Sequence, residues 1–83
     1  MLDTLKMSAK TVGMRTTIRA IESGAAYHAF IAEDADVFIT RRVQELCQAK
    51  DIPYTRVESM KMLGEACGVQ VGAACAALVK HAG

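Results

Sequence analysis

Six consecutive residues, Tyr27-His28-Ala29-Phe30-Ile31-Ala32, restrict the fold more than any other stretch of the chain. The run is nearly continuous in apolar side chains and has the length of a strand, as expected for a strand covered on both faces. Its neighbours supply the cover. Residues 14–22 place Met14, Ile18 and Ile21 on one stripe at about 100° per residue, and Ser23-Gly24 stops that helix. Residues 37–49 form the longest amphipathic pattern, with Ile39, Val43, Leu46 and Cys47 inward and Arg41, Gln44, Glu45 and Gln48 outward. Arg41 and Glu45 stand at i,i+4, a pairing worth only about 0.2–0.5 kcal/mol. After the turn Lys50-Asp51-Ile52-Pro53, Tyr54-Thr55-Arg56-Val57 reads as a second strand. Ser59 suits the N-cap of a helix over 60–67 with Met60, Leu63 and Cys67 inward; Gly64 permits close packing and Gly68 ends it.

The two ends of the chain are less regular. Leu2, Leu5 and Ala9 share a stripe, which predicts a short helix over residues 2–9, broken by Thr11-Val12-Gly13. The run Ala73-Ala74-Cys75-Ala76-Ala77-Leu78-Val79 favours a helix by propensity and a buried strand by its place after a glycine turn. With a strand there, helices and strands alternate in a way that implies an α/β chain with a largely parallel or mixed sheet and helices on both faces. Eighty-three residues suffice for one domain, residues 1–83, with one modest core. Aromatics are only 5%, so that core is expected to consist of Ala, Val, Ile, Leu and Met.

Candidate chemistry is sparse. Cys47, Cys67 and Cys75 lie in apolar stretches at gaps that match no zinc-ligand spacing, and read as buried free thiols in a reducing cytosol. His28 sits inside the apolar run without an identifiable carboxylate or nucleophile, which favours a structural histidine over a catalytic one. Glu33, Asp34 and Asp36 precede a helix and suit its N-terminal dipole; as a calcium loop their spacing is wrong. There is no glycine-rich phosphate loop and no acid–base pair, so an enzyme is not expected, nor any cofactor or metal. No apolar run approaches 18 residues, and Met-Leu-Asp-Thr-Leu-Lys at the start lacks a hydrophobic signal core, so a cytoplasmic protein without a membrane segment is expected.

Charge is more informative in its distribution than in its sum. The net charge is +1, which argues against a general cationic field for nucleic acid. Yet Lys6, Lys10, Arg15 and Arg19 fall in one stretch without an acidic residue between them. Arg15 and Arg19 lie one turn apart, with Thr16 beside them, near the start of a helix that Gly13 introduces. A helix N-terminus favours anions, and arginine can bond guanine O6 and N7 together. The pattern is compatible with an ordinary solvated helix face or with a patch for phosphates and base edges. Arg41-Arg42 could touch RNA, but a solvated surface is the better reading.

From Val57 onward the chain, Val57-Glu58-Ser59-Met60-Lys61-Met62-Leu63-Gly64-Glu65-Ala66-Cys67-Gly68-Val69-Gln70-Val71-Gly72-Ala73-Ala74, resembles the L-seven-Ae / L-thirty-e ribosomal-protein family of kink-turn RNA binders, especially its small bacterial members. The leucine-glycine-x-alanine-x-glycine pattern followed by an aliphatic-x-valine loop is its most specific part. Ile31-Ala32-Glu33-Asp34-Ala35-Asp36 is similar to the family's strand-to-helix junction, and Gly13 to Ile21 to its recognition helix. The resemblance covers roughly residues 6–79. It implies a three-layer α/β/α sandwich around a small mixed sheet, and binding to a kink-turn, a sharply bent internal loop with tandem sheared G·A pairs. It further implies that Gly13, Arg15, Thr16 and Arg19 enter the groove at those pairs, and that Val69, Gln70, Val71 and Gly72 cover the loop nucleotides. Many members carry an amide or carboxylate where this chain has Thr16, which reaches less far; archaeal members carry Asn and Lys where it has Arg15 and Arg19.

Two functions are carried forward. One is a non-catalytic, monomeric RNA-binding protein whose partner is kink-turn RNA, in ribosomal RNA or a riboswitch. The other is a protein-interaction or stress-type module on the same fold, since fold does not dictate function. Salt dependence distinguishes them, since RNA binding through several phosphates weakens steeply as salt rises; Val69 and Val71 read either as an exposed apolar loop or as partly core residues.

Overall fold

The computed structural model describes Leu5 and residues 8–80. The helix expected over residues 2–9 thus falls mostly outside the described residues; Leu5 is helical and buried, whereas Ser8 and Ala9 are not helical. The described elements are β1 (Lys10–Val12), α1 (Met14–Ser23), β2 (Ala26–Ala32), α2 (Val37–Ala49), β3 (Tyr54–Val57), α3 (Met60–Cys67) and β4 (Cys75–Val79).

The strands form one sheet in the order β1-β4-β2-β3. β2 and β3 are parallel, and β4 runs antiparallel to β1 and β2. The sheet is therefore mixed, as expected. α1 and α2 are crossovers between strands of the same direction, so they run alongside each other on one face. Ala20 and Ile21 of α1 and Val43 and Cys47 of α2 meet Ala29, Ile31, Cys75 and Ala77 there. On the other face Leu63 and Cys67 of α3, with Leu5, meet Phe30, Ala32, Ala76 and Leu78. β2 and β4 alternate residues between two covered faces, which is why both read as apolar throughout.

The open question over the alanine run is settled by its position. Ala73-to-Val79 yields the strand Cys75–Val79, paired on both edges. A helix propensity of a few tenths of a kcal/mol per residue is outweighed by the two ladders and burial on both sides.

Three expectations are corrected. Thr11 and Val12 do not merely break a helix; with Lys10 they form an edge strand against Leu78, Ala77 and Ala76. Met14 does not face the core but is 44% exposed. Helix α1 begins at Met14, so its first turn overhangs the sheet and the buried stripe becomes Thr17, Ala20 and Ile21. Thr17 is fully buried because its hydroxyl has a partner in that of Thr11, 2.9 Å away. Likewise Arg42, rather than Arg41, carries an ion pair, reaching Glu22 of α1 at 3.8 Å.

Candidate nucleic-acid interface

Helices α1, α2 and α3 follow β1, β2 and β3, and these three strands end together. Val12 and Phe30 both stand level with Ala76, and Val57 with Ala32. Three helix N-termini therefore open at one end of the sheet, each with unsatisfied N–H groups and a partial positive charge.

Two of the three are discharged by their own side chains. Asp36 caps α2 by accepting from the Phe38 amide at 2.8 Å. Ser59 caps α3 by accepting from Met62 at 3.1 Å, and Asp34 reaches the same helix to accept from the Met60 amide at 2.7 Å. Asp34 and Asp36 of the acidic cluster thus act as caps, as expected, although they serve two helices rather than one.

The start of α1 is different. Its N-cap is Gly13, with no side-chain cap and no acidic residue in the first turn. At φ 98° Gly13 occupies a backbone conformation other residues resist, and a Cβ there would meet nothing within 4 Å. Open space and strained backbone together let another molecule come close to the peptide. Met14, Arg15, Thr16 and Arg19 are all exposed around it. The Thr16 hydroxyl donates to the Val12 carbonyl at 3.0 Å, so its hydrogen is already used while its oxygen still faces out.

Residues 69–72 lead into β4, whose first residue meets this helix start. The Gly13 amide donates to the Cys75 carbonyl at 2.9 Å, three positions beyond Gly72. The loop doubles back along α3, held by hydrogen bonds from the Val69 amide to Gly64 and from the Ala73 amide to Met60, both 3.0 Å. Gly64 makes that approach possible: a Cβ on it would stand 2.2 Å from the Val71 carbonyl oxygen. The two valines separate in consequence. Val69 packs on the core, and Val71 is pushed out to 74% exposure. Gln70 and Gly72 are exposed as well. The loop and α3 enclose a cleft of about 360 Å³, lined by Met60, Lys61 and Glu65 of α3, by Asp34 and by residues 69–72. Sequence reasoning assigned Lys61 no role; its place one residue inside the Ser59 cap was the available signal.

A family model described as the Ribosomal protein L7Ae/L30e/S12e/Gadd45 family matches residues 3–83. The chain belongs to this family. An RNA-binding protein of Geobacillus sp. is 42% identical over 76 residues, covering 92% of this chain and 93% of that one. The RNA-binding protein YbxF of Geobacillus stearothermophilus is 44% identical over 69 residues, 83% of this chain and 84% of its own length. Among solved structures, a 15.5 kD RNA-binding protein of Giardia lamblia superposes with a TM-score of 0.89 at 30% identity, covering 96% of this chain and 71% of that one. A Bacillus halodurans protein of unknown function shares the fold at TM-score 0.85 and 19% identity. The three-layer architecture that the resemblance implied is thus the family's fold.

The cysteines and His28 are structural. Cys47, Cys67 and Cys75 are free and buried. Burial pushes all three thiols up, Cys75 to about 11, away from the reactive thiolate. His28 bonds Thr55 Oγ1 through Nε2 at 2.8 Å and tilts against Phe30, and burial lowers its pKa. No helix among the described residues is long and apolar enough to cross a membrane.

Proposed function

We propose that this chain is a non-catalytic RNA-binding domain that recognises kink-turns through the shared end of its sheet. The observation that carries this reading is the uncapped start of α1, at the end of the sheet where Val71 faces outward and the other two helix starts carry side-chain caps. Gly13 leaves room for an RNA backbone, the free N–H groups and Arg15 attract its phosphates, and Arg15 and Arg19 reach guanine edges. Such edges are hidden in an ordinary RNA duplex, whose major groove is deep and narrow, so the target must be distorted. Tandem sheared G·A pairs supply that distortion. Thr16 contributes an acceptor oxygen. Val71, with Gln70 and Gly72, covers the unpaired loop nucleotides, while Val69 anchors the loop to the core. Relatives named as RNA-binding proteins support the RNA partner.

The test is titration into a short kink-turn RNA beside a control whose G·A pairs are replaced by Watson–Crick pairs, at two salt concentrations. Specific recognition predicts at least about a hundredfold preference, roughly 2.7 kcal/mol. Equal, weak and steeply salt-dependent binding to both RNAs would reduce the surface to a generic basic face.

A further inference from the structure

Phe38 is one of two phenylalanines in the chain, and it is 78% exposed. It stands in the first turn of α2, off the Ile39, Val43, Leu46 and Cys47 stripe that packs inward. Nothing in the fold requires an aromatic there. The backbone under it is firmly placed, because the Asp36 carboxylate holds its amide at 2.8 Å.

Its location is given by the seam between two parallel helices. Arg42 of α2 pairs with Glu22 of α1. One turn back along α2 from Arg42 lies Phe38; three and seven residues back along α1 from Glu22 lie Arg19 and Arg15. The ring therefore flanks the arginine stripe on the same face and at the same end of the sheet. Its helical neighbours at i+3 and i+4, Arg41 and Arg42, are both exposed. A single aromatic ring set among guanidinium groups suits a flat, electron-rich and negatively tethered partner better than an apolar protein surface.

We infer that Phe38 is a stacking platform for an unpaired nucleobase of the bound RNA, lying beyond the pairs that α1 reads. This rests on the RNA-binding reading above. The ring takes one face of the base while Arg41 attracts the adjoining phosphate, which extends recognition from the kink-turn to its flank.

Two RNAs decide the matter: a kink-turn whose stem carries an unpaired 2-aminopurine beyond the G·A pairs, and the same RNA with that base paired. The native protein should bind the first more tightly by about five- to a hundredfold, the range of one base–aromatic stack, with quenched 2-aminopurine fluorescence. Phe38→Ala should abolish the preference and the quenching yet keep the affinity for the paired RNA; Phe38→Trp should retain both. Equal affinity of the native protein for the two RNAs overturns the inference, as does an equal loss on both in Phe38→Ala. If Phe38→Ala changes neither affinity, the ring is left to a protein partner. Failure of the native protein to bind either RNA overturns the underlying reading instead.

Discussion

The starts of α1 and α2 lie on one face and at one end of the sheet, yet they are finished in opposite ways. α2 begins with an aspartate whose side chain takes one of its free N–H groups, and α1 begins with a glycine that has no side chain to take any. Ser59 and Asp34 treat α3 like α2. A chain that caps two helix starts with side chains has the means to cap the third, and an N-cap is worth about 1 kcal/mol. Leaving α1 open forgoes that stabilisation and keeps a partial positive charge facing outward between Arg15 and the loop at 69–72. On the proposed function, stability and recognition compete for the same few N–H groups, and the composition of each first turn decides which is served.

The comparison breaks most sharply with Arg15→Glu. A carboxylate in the first turn favours the helix dipole by about 0.3–1 kcal/mol, so the folded state should gain slightly. RNA binding should fall by roughly 3–5 kcal/mol, through one lost contact and a like charge facing phosphate. Urea unfolding and calorimetric titration of one variant would thus move in opposite directions. Loss of both would mean that Arg15 supports the fold and is no recognition residue.

Gly64→Ala tests the loop that completes the open side. In an unobstructed helix the change would stabilise by up to about 1 kcal/mol. Here the new methyl meets the Val71 carbonyl oxygen, a backbone atom that cannot swing aside. The domain should lose about 1–3 kcal/mol, as overpacked sites do, and bind RNA more weakly because Val71 is displaced. A rise in the urea midpoint would show that the loop does not lie on α3 as described.

Asp36→Ala makes α2 resemble α1. Folding should lose about 1 kcal/mol with the cap, and RNA affinity should not fall, since a negative charge leaves the same end of the molecule. A marked drop in affinity would assign Asp36 to recognition as well as to capping.

What could be read from the sequence follows the range of the interactions involved. The capped starts were legible because Asp36 and Ser59 act on amides two or three residues away. Gly24 and Gly68 likewise close their helices within a turn. The alternation of β2, α2, β3 and α3 was legible for the same reason. β1 was not: three residues on an edge have no period of their own, and only the distant β4 makes them a strand. Thr17 was missed as a core residue because its partner, Thr11, lies across a glycine turn. Arg15, Thr16, Arg19 and the loop were singled out by motif, but the separation of Val69 from Val71 depends on the backbone of Gly64 meeting that of Val71. Phe38 falls off the inward stripe of its helix, and its exposure shows only once the fold is in hand.

The smallest expected effect belongs to the opposite end of the sheet. His28 pairs with Leu78, two residues along the strands from the level of Val12 and toward the other end, and burial holds its pKa below the usual 6.5. Above pH 6.5 the ring is neutral whether the chain is folded or not, so its contribution is constant. As pH falls below 6.5 the unfolded chain takes up a proton that the folded chain resists, and stability declines until the pH has passed the folded pKa. Thermal unfolding between pH 7.5 and 5 should therefore show a small fall in Tm that is lessened in His28→Gln. RNA affinity of the folded protein should show no matching difference between the two, because the arginines at the other end stay charged throughout. A His28-dependent change in RNA affinity over that range would mean that the two ends of the sheet are coupled, and the division between a stabilising end and a recognising end would fail.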